Sequence, residues 1–271
     1  MDAKASDARD CKIESTDEGA ISEEKFPYKI TGIVTFLSDY RSRGISQTFL
    51  RPAVQGEIKF THENGFYFKI WASNVDGTSN FITNTSTEWN LFVGMEQSFW
   101  KPELKYDVGF IVYYYPGGKA FVRQNIRYNT VEYFAGFSYK GFNMKLYQTI
   151  TDYYGVNSTN PPFDWQEFRF TGANGNSLWS PYIEANYEWT PCPKWTAGVH
   201  VGYQAITHYT ELNYLDWQVS LNYEFDWFDV ALYYISTNAR HAFYDVPDAA
   251  FKPSIKKLGS PGIVGAIYRE F

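Results

Sequence analysis

The sequence predicts an all-β fold, a transmembrane antiparallel up-and-down β-barrel of twelve strands, and three observations lead there. Phe, Trp and Tyr make up 20% of the 271 residues, yet the mean hydropathy is only -0.40. No run approaches the ~18 to 20 consecutive apolar residues of a membrane-crossing helix. Instead the apolar residues fall on alternate positions in segment after segment, the pattern of a barrel that is apolar outside and polar inside. The chain also closes on an alternating segment whose last residue, Phe271, is aromatic. A soluble β-sandwich or lipocalin-like barrel shares the period of two, but it would have to hide all these aromatics in a core.

The strands expected in order are Tyr28–Tyr40, Ala53–Thr61, Phe66–Val75, Glu88–Gln97, Leu104–Tyr115, Tyr128–Tyr139, Phe142–Tyr153, Trp179–Trp189, Lys194–Ala205, Tyr214–Asp226, Phe228–Thr237 and Gly262–Phe271. Each is near the ~9 to 11 residues a tilted membrane strand needs. In the fourth, Trp89, Leu91, Val93 and Met95 oppose Glu88, Asn90 and Glu96, with Phe92 an apolar exception on the inner face. In the tenth, Leu215, Trp217, Val219, Leu221, Tyr223 and Phe225 oppose Asp216, Gln218, Ser220, Asn222, Glu224 and Asp226. The eighth and ninth alternate in the same way.

The connections alternate in length. Tight turns are expected around His62–Gly65, Lys140–Gly141, Thr190–Pro193 and Trp227, with Ser98–Glu103 slightly longer, and these belong on the periplasmic side. Long connections, Arg41–Pro52, Asp76–Thr87, Pro116–Arg127, Tyr154–Leu178, Ile206–Asn213 and Asn238–Pro261, belong outside the cell. An even strand count puts both termini in the periplasm. Residues 1–25 are polar and acidic and read as a flexible periplasmic tail, leaving 26–271 for the barrel. The start Met1-Asp2-Ala3 has no basic and apolar leader and reads as a mature or recombinant N-terminus, with an export signal expected to have been removed.

Ser38-Asp39-Tyr40-Arg41-Ser42-Arg43-Gly44-Ile45-Ser46-Gln47-Thr48, followed by Pro52–Gly56, Gly65–Tyr67 and Trp71–Val75, resembles the proteobacterial TorF porin family. Leu104–Phe110 and Tyr115-Pro116-Gly117 are similar to that family as well; afterwards mostly the strand pattern and the terminal aromatic persist. Ser42 departs from it, since the family usually carries an aromatic between the two arginines. The resemblance implies an outer-membrane pore of a Gram-negative bacterium and names no solute.

Function classes narrow from the residue types. A net charge of -6 and the lack of a basic patch argue against nucleic acid. The expected partners are outer-membrane lipid and lipopolysaccharide, small polar solutes and the barrel-assembly machinery, with the protein a monomer. A lipid-modifying barrel enzyme would need His beside Ser on a lipid-facing strand near the outer rim. His62, His208 and His241 fall in turns or loops and His200 points inward, so no catalytic residue is assigned. No cofactor is expected, and two widely separated cysteines offer no zinc or iron–sulfur spacing. Cys11 and Cys192 would both face the periplasm, either bridged by a disulfide across the lower rim or left as free thiols.

The residues expected to line the pore are Asp39, Arg41, Glu57, Lys59, Lys69, Glu88, Glu96, Lys105, Asp107, Glu132, Lys145, Glu184, Glu188, His200, Asp216 and Glu224. Asp226, Asp229 and Glu270 add acid to this face and Lys29 adds base, so carboxylates prevail and a weak cation preference follows. Twelve strands imply a narrow bore suited to passive diffusion of small hydrophilic solutes. Bulky inward Tyr67, Tyr113, Tyr147 and Tyr233 keep open the alternative of a plugged barrel without conduction. Arg41 and Arg43, at the end of the first strand, either meet anions at the mouth or pair with Asp39 and nearby carboxylates.

Overall fold

The computed structural model describes residues 26–76, 82–83, 85–120, 126–157, 175–247 and 255–271. Twelve antiparallel strands close on themselves: β1 (Tyr28–Leu37), β2 (Ala53–His62), β3 (Phe66–Asn74), β4 (Thr87–Phe99), β5 (Lys101–Tyr114), β6 (Thr130–Tyr139), β7 (Phe142–Thr149), β8 (Pro181–Cys192), β9 (Trp195–Gln204), β10 (Tyr214–Glu224), β11 (Asp229–Thr237) and β12 (Gly262–Glu270). Each pairs with its sequence neighbours, and β12 closes on β1 through Leu37↔Ala266 to Ile33↔Glu270. The barrel sheet has no edge, as a lipid environment requires, because every backbone N–H and C=O there must find a partner within the protein. At the closure the Phe271 N–H donates to the Gly32 carbonyl at 2.9 Å and the Gly32 N–H donates back at 2.7 Å. The Phe271 ring covers Gly32, where a Cβ would stand 2.5 Å from Cε2.

The alternation seen in the sequence becomes two surfaces. Ile30, Val34 and Phe36 on β1, Val54 and Ile58 on β2, and Val199, Val201 and Tyr203 on β9 project outward and are exposed. Wide apolar surface of this kind is the lipid face of a membrane-spanning barrel. Exposed aromatics gather toward both ends: Phe66, Trp100, Tyr187, Trp189, Trp227 and Phe271 at the short-turn end, and Tyr114, Trp179 and Tyr203 at the other. Amphipathic rings settle at the headgroup level.

The ends of several strands differ from expectation. β1 stops at Leu37, three residues early: the Ser38 N–H still bonds Gly265 O on β12 at 2.9 Å, and the chain then folds back over the lumen. β4 and β5 run on to Phe99 and from Lys101, so the expected turn Ser98–Glu103 shrinks to Trp100, in the left-handed region at φ 63° beside a register shift at Ser98/Phe99. His62 is the last residue of β2 rather than part of a turn, and Cys192 ends β8. The expected tail 1–25, Cys11 with it, lies outside the described residues.

Candidate functional site: the lumen and its inserted hairpin

The long connections do not merely cross the barrel end. Ile45, Phe49, Ile206, Tyr209, Leu212, Phe243, Tyr244, Val246 and Leu258, from three connections between strands, pack into one buried apolar cluster above the wall. Below it, the connection between β1 and β2 forms a miniature hairpin in which Arg41–Ser42 pairs with Ile45–Ser46. Its two turn residues, Arg43 at φ 49° and Gly44 at φ 79°, are both left-handed, the geometry of a two-residue I′ turn. Gly44 is needed twice over, since a Cβ there would also meet Thr237 Cγ2 at 2.4 Å and Asp216 Cβ at 2.8 Å.

This turn aims Arg43 across the lumen. Its Nη2 donates to Glu132 Oε2 on β6 at 2.6 Å and its Nη1 to Glu132 Oε1 at 3.1 Å, a two-point fork. Nη1 also donates to Gln204 Oε1 on β9 at 2.7 Å, and Nη2 to Tyr113 Oη on β5 at 3.3 Å. The guanidinium lies 4.3 Å from the Tyr182 ring centre and 5.4 Å from that of Tyr147. The Glu132 side chain is fully buried and that of Arg43 is 9% exposed. Removing either partner would strand a charge away from water, which is what makes such a pair hard to break. Arg41 braces the hairpin from behind, donating from Nε to Asp39 Oδ2 at 2.8 Å and from Nη1 to Ser260 O at 2.7 Å. Ser46 and Thr48 hydroxyls complete the Asp39 carboxylate at 2.6 and 3.1 Å.

Beneath the hairpin lies a cavity of about 380 Å³. One wall carries a polar network from β8 to β10: His200 Nδ1 is 2.7 Å from Asn186 Oδ1, His200 Nε2 is 2.8 Å from Asp216 Oδ1, and Tyr182 Oη donates to Asp216 Oδ2 at 3.2 Å. The other carries the Glu57–Lys69 pair at 3.1 Å, with the Lys69 ammonium 4.1 Å from the Phe92 ring centre. Asn90 also lines the cavity, 6% exposed; its Nδ2 donates to Glu88 Oε1 at 2.8 Å, and its buried Oδ1 has no hydrogen-bond partner among the described residues.

Toward the short turns the lumen changes character. Lys145 meets Asp107 at 2.5 Å, Lys105 meets Glu96 at 3.2 Å, and Lys59 approaches Glu96 at 3.9 Å. Past these pairs, Glu188, Glu224, Asp229 and Glu270 form an acidic collar in which Glu224 lies directly opposite Asp229 across the β10–β11 ladder. No basic side chain lies within salt-bridge range of these four, nor of Glu184, among the described residues. Asp226, at the turn itself, is paired with Lys194 at 2.8 Å and stands apart from the collar.

Of the expected pore-lining residues, Glu57, Lys69, Glu184, His200 and Asp216 surround the cavity with Arg41. Asp39 and Glu88 are packed away, Asp39 against the hairpin and Glu88 under the Tyr40 hydroxyl at 3.2 and 3.3 Å. Lys59, Glu96, Lys105, Asp107 and Lys145 form the ion pairs below, Glu188 and Glu224 the collar, and Glu132 the anchor for Arg43. Tyr67, Tyr113 and Tyr147 reach inward carboxylates, Tyr67 donating to Asp107 at 2.9 Å, Tyr113 to Glu132 at 3.0 Å and Tyr147 to Glu184 at 3.4 Å. Asn90 is on the inner face as the alternation expects, and Arg43 takes a carboxylate, one of the two roles expected for it, although deep in the lumen and not at the mouth; Tyr182 and the part Gln204 plays in the seat were missed, and the Arg-Gly turn flanked by short alternating segments was the one local signal for the hairpin. Cys192 is exposed and has no disulfide partner among the described residues. No group of three His, Cys, Asp or Glu side chains among the described residues is placed to hold a metal ion.

Residues 22–261 match a family described as "Bacterial protein of unknown function (Gcw_chp)". No curated relative matches. Among solved structures, the KdgM porin in complex with disordered oligogalacturonate is 10% identical, with 89% of this chain and 97% of that chain covered and a TM-score of 0.47. The NanC porin is 9% identical over 89% and 98% of the two chains, with a TM-score of 0.45. An outer-membrane channel from Pseudomonas putida F1 is 9% identical over 89% and 95%, with a TM-score of 0.44.

Proposed function

The chain belongs to the Gcw_chp family of bacterial proteins, and we propose that this member is an outer-membrane channel for passive diffusion of small hydrophilic solutes, weakly cation-preferring and of the TorF porin type. The observation that carries the reading is a lipid-facing closed barrel whose interior is charged and cavity-bearing and ends in an acidic collar. Rings of Asp and Glu in a narrow bore favour cations. The preference is modest because the basic groups higher in the lumen sit against acids and salt screens what remains. In this reading the short turns and both termini face the periplasm, the long connections face outward, and residues 1–25 are a periplasmic tail. Reversal potential under a salt gradient tests it: a cation-selective sign is expected, and anion selectivity would refute it.

A second reading, a barrel closed at rest, is favoured by one specific observation: the hairpin whose Arg43 is locked to Glu132 across the bore. The two readings join if the hairpin can leave. In this orientation Cys192 faces the periplasm, where it either forms a disulfide to Cys11 across the lower rim or stays a thiol; two reactive thiols in unreduced, denatured protein would dispose of the bridge.

A further inference from the structure

The seat of Arg43 is built like a receptor. A carboxylate takes the guanidinium edge at two points, a side-chain carbonyl and a phenol oxygen take further N–H groups, and two aromatic faces lie beside its plane. Planar, forked donation combined with stacking is what separates guanidinium recognition from capture of a compact ammonium. The wall supplies all of these groups, from β5, β6, β7, β8 and β9, whereas the cation arrives on a connection that sits in the bore. The hairpin therefore occupies the seat as an internal ligand.

We propose that this lumenal seat, Glu132 with Tyr113, Gln204 and Tyr182, is a binding site for solutes bearing a guanidinium group, and that such a solute enters by exchanging with Arg43. The exchange follows from charge. If Arg43 simply withdrew, the fully buried Glu132 carboxylate would be left uncompensated, a state that costs far more than swapping one cation for another. A solute guanidinium restores the pair in the same geometry. The adjoining cavity of about 380 Å³ has room for the remainder of the molecule, within the lower range of small-molecule sites. It would meet Glu184, with no basic partner, and Asn90, whose buried Oδ1 has no donor, both among the described residues. Those features suit further N–H groups or a second positive centre. The hairpin then acts as a competitor with very high local concentration, so the wild-type protein binds weakly and the protein without Arg43 binds well.

The inference deepens the channel reading but is tested apart from it, by binding in detergent. Methylguanidinium is titrated against folded, heat-modifiable barrels, with methylammonium and urea as the charged non-planar and neutral planar comparators. Arg43→Ala is expected to bind methylguanidinium at least about tenfold more tightly than wild type, because the internal competitor is gone. Arg43→Met, which keeps an apolar stem in place, gives the same reading where alanine does not yield folded protein. Adding Glu132→Gln to either variant should abolish the gain, and neither comparator should match methylguanidinium. Equal binding by wild type and the Arg43 variants, survival of the gain with Glu132→Gln, or equal binding of urea would overturn the proposal. Binding without any conductance would refute the channel and leave the seat standing; conductance without binding would do the reverse.

Discussion

The two halves of the lumen are built from the same strands and obey different physics. In the long-connection half, Arg43 and Glu132 are almost free of solvent, roofed by the cluster around Phe49, Tyr209 and Leu258. In the short-turn half, the side chains of Lys105 and Glu96 are 48% and 36% exposed and the acidic collar faces water. Charges in the first half are few, forked and individually indispensable; in the second they are many, screened and interchangeable. In the proposed channel the buried pair at one end would act as a lock and the water-facing carboxylates at the other as an electrostatic filter.

The sharpest way to break the comparison is to open the closure shared by both halves. Deleting Phe271 removes the backbone bonds to Gly32 and the ring that covers it, so heat-modifiable barrel should largely disappear, and normal levels would show that this closure is dispensable. Next in size is the lock. Glu132→Ala should destabilise the folded barrel by about 3–5 kcal/mol, as loss of one partner of a buried pair does, whereas Glu224→Ala should stay within ~0.5 kcal/mol. Denaturant midpoints compare the two, and equal effects would erase the distinction between the halves.

Smaller still is the geometry of the turn. Gly44→Val places a Cβ against Thr237 and Asp216 on a left-handed backbone, and should release the hairpin and make sites near Arg43 digestible by protease in folded barrels. An unchanged digestion pattern would mean that the turn tolerates a side chain. The smallest effect belongs to the collar: neutralising Glu188, Glu224, Asp229 and Glu270 together should move cation selectivity toward unity with stability unaltered. Which half faces the cell surface is read by maleimide labelling of intact cells, where Ile255→Cys should react and Asn64→Cys should not; the reverse would invert the barrel.

All twelve strands and their order were legible in the sequence, because a lipid face forces a period of two and nothing else in the chain competes with it. Strand ends were less so. The single-residue turn at Trp100 was hidden by Pro102, which reads as a loop residue yet sits inside β5. Inward direction was legible for Glu132, but its partner was not. The pairing of Arg43 with a residue 89 positions away depends on a connection turning into the bore, and no local pattern in Arg41–Ser46 tells inward from outward. Arg41, by contrast, takes Asp39 two residues away, the pairing that nearness in the chain suggested.

Single-channel conductance in planar bilayers, wild type beside Arg43→Ala, tests the central claim most directly. If Arg43 locks the long-connection half, the variant should open at least about tenfold more often, the change that ~1.4 kcal/mol of lost restraint produces, with cation selectivity retained from the collar. Indistinguishable traces from the two proteins would contradict the lock.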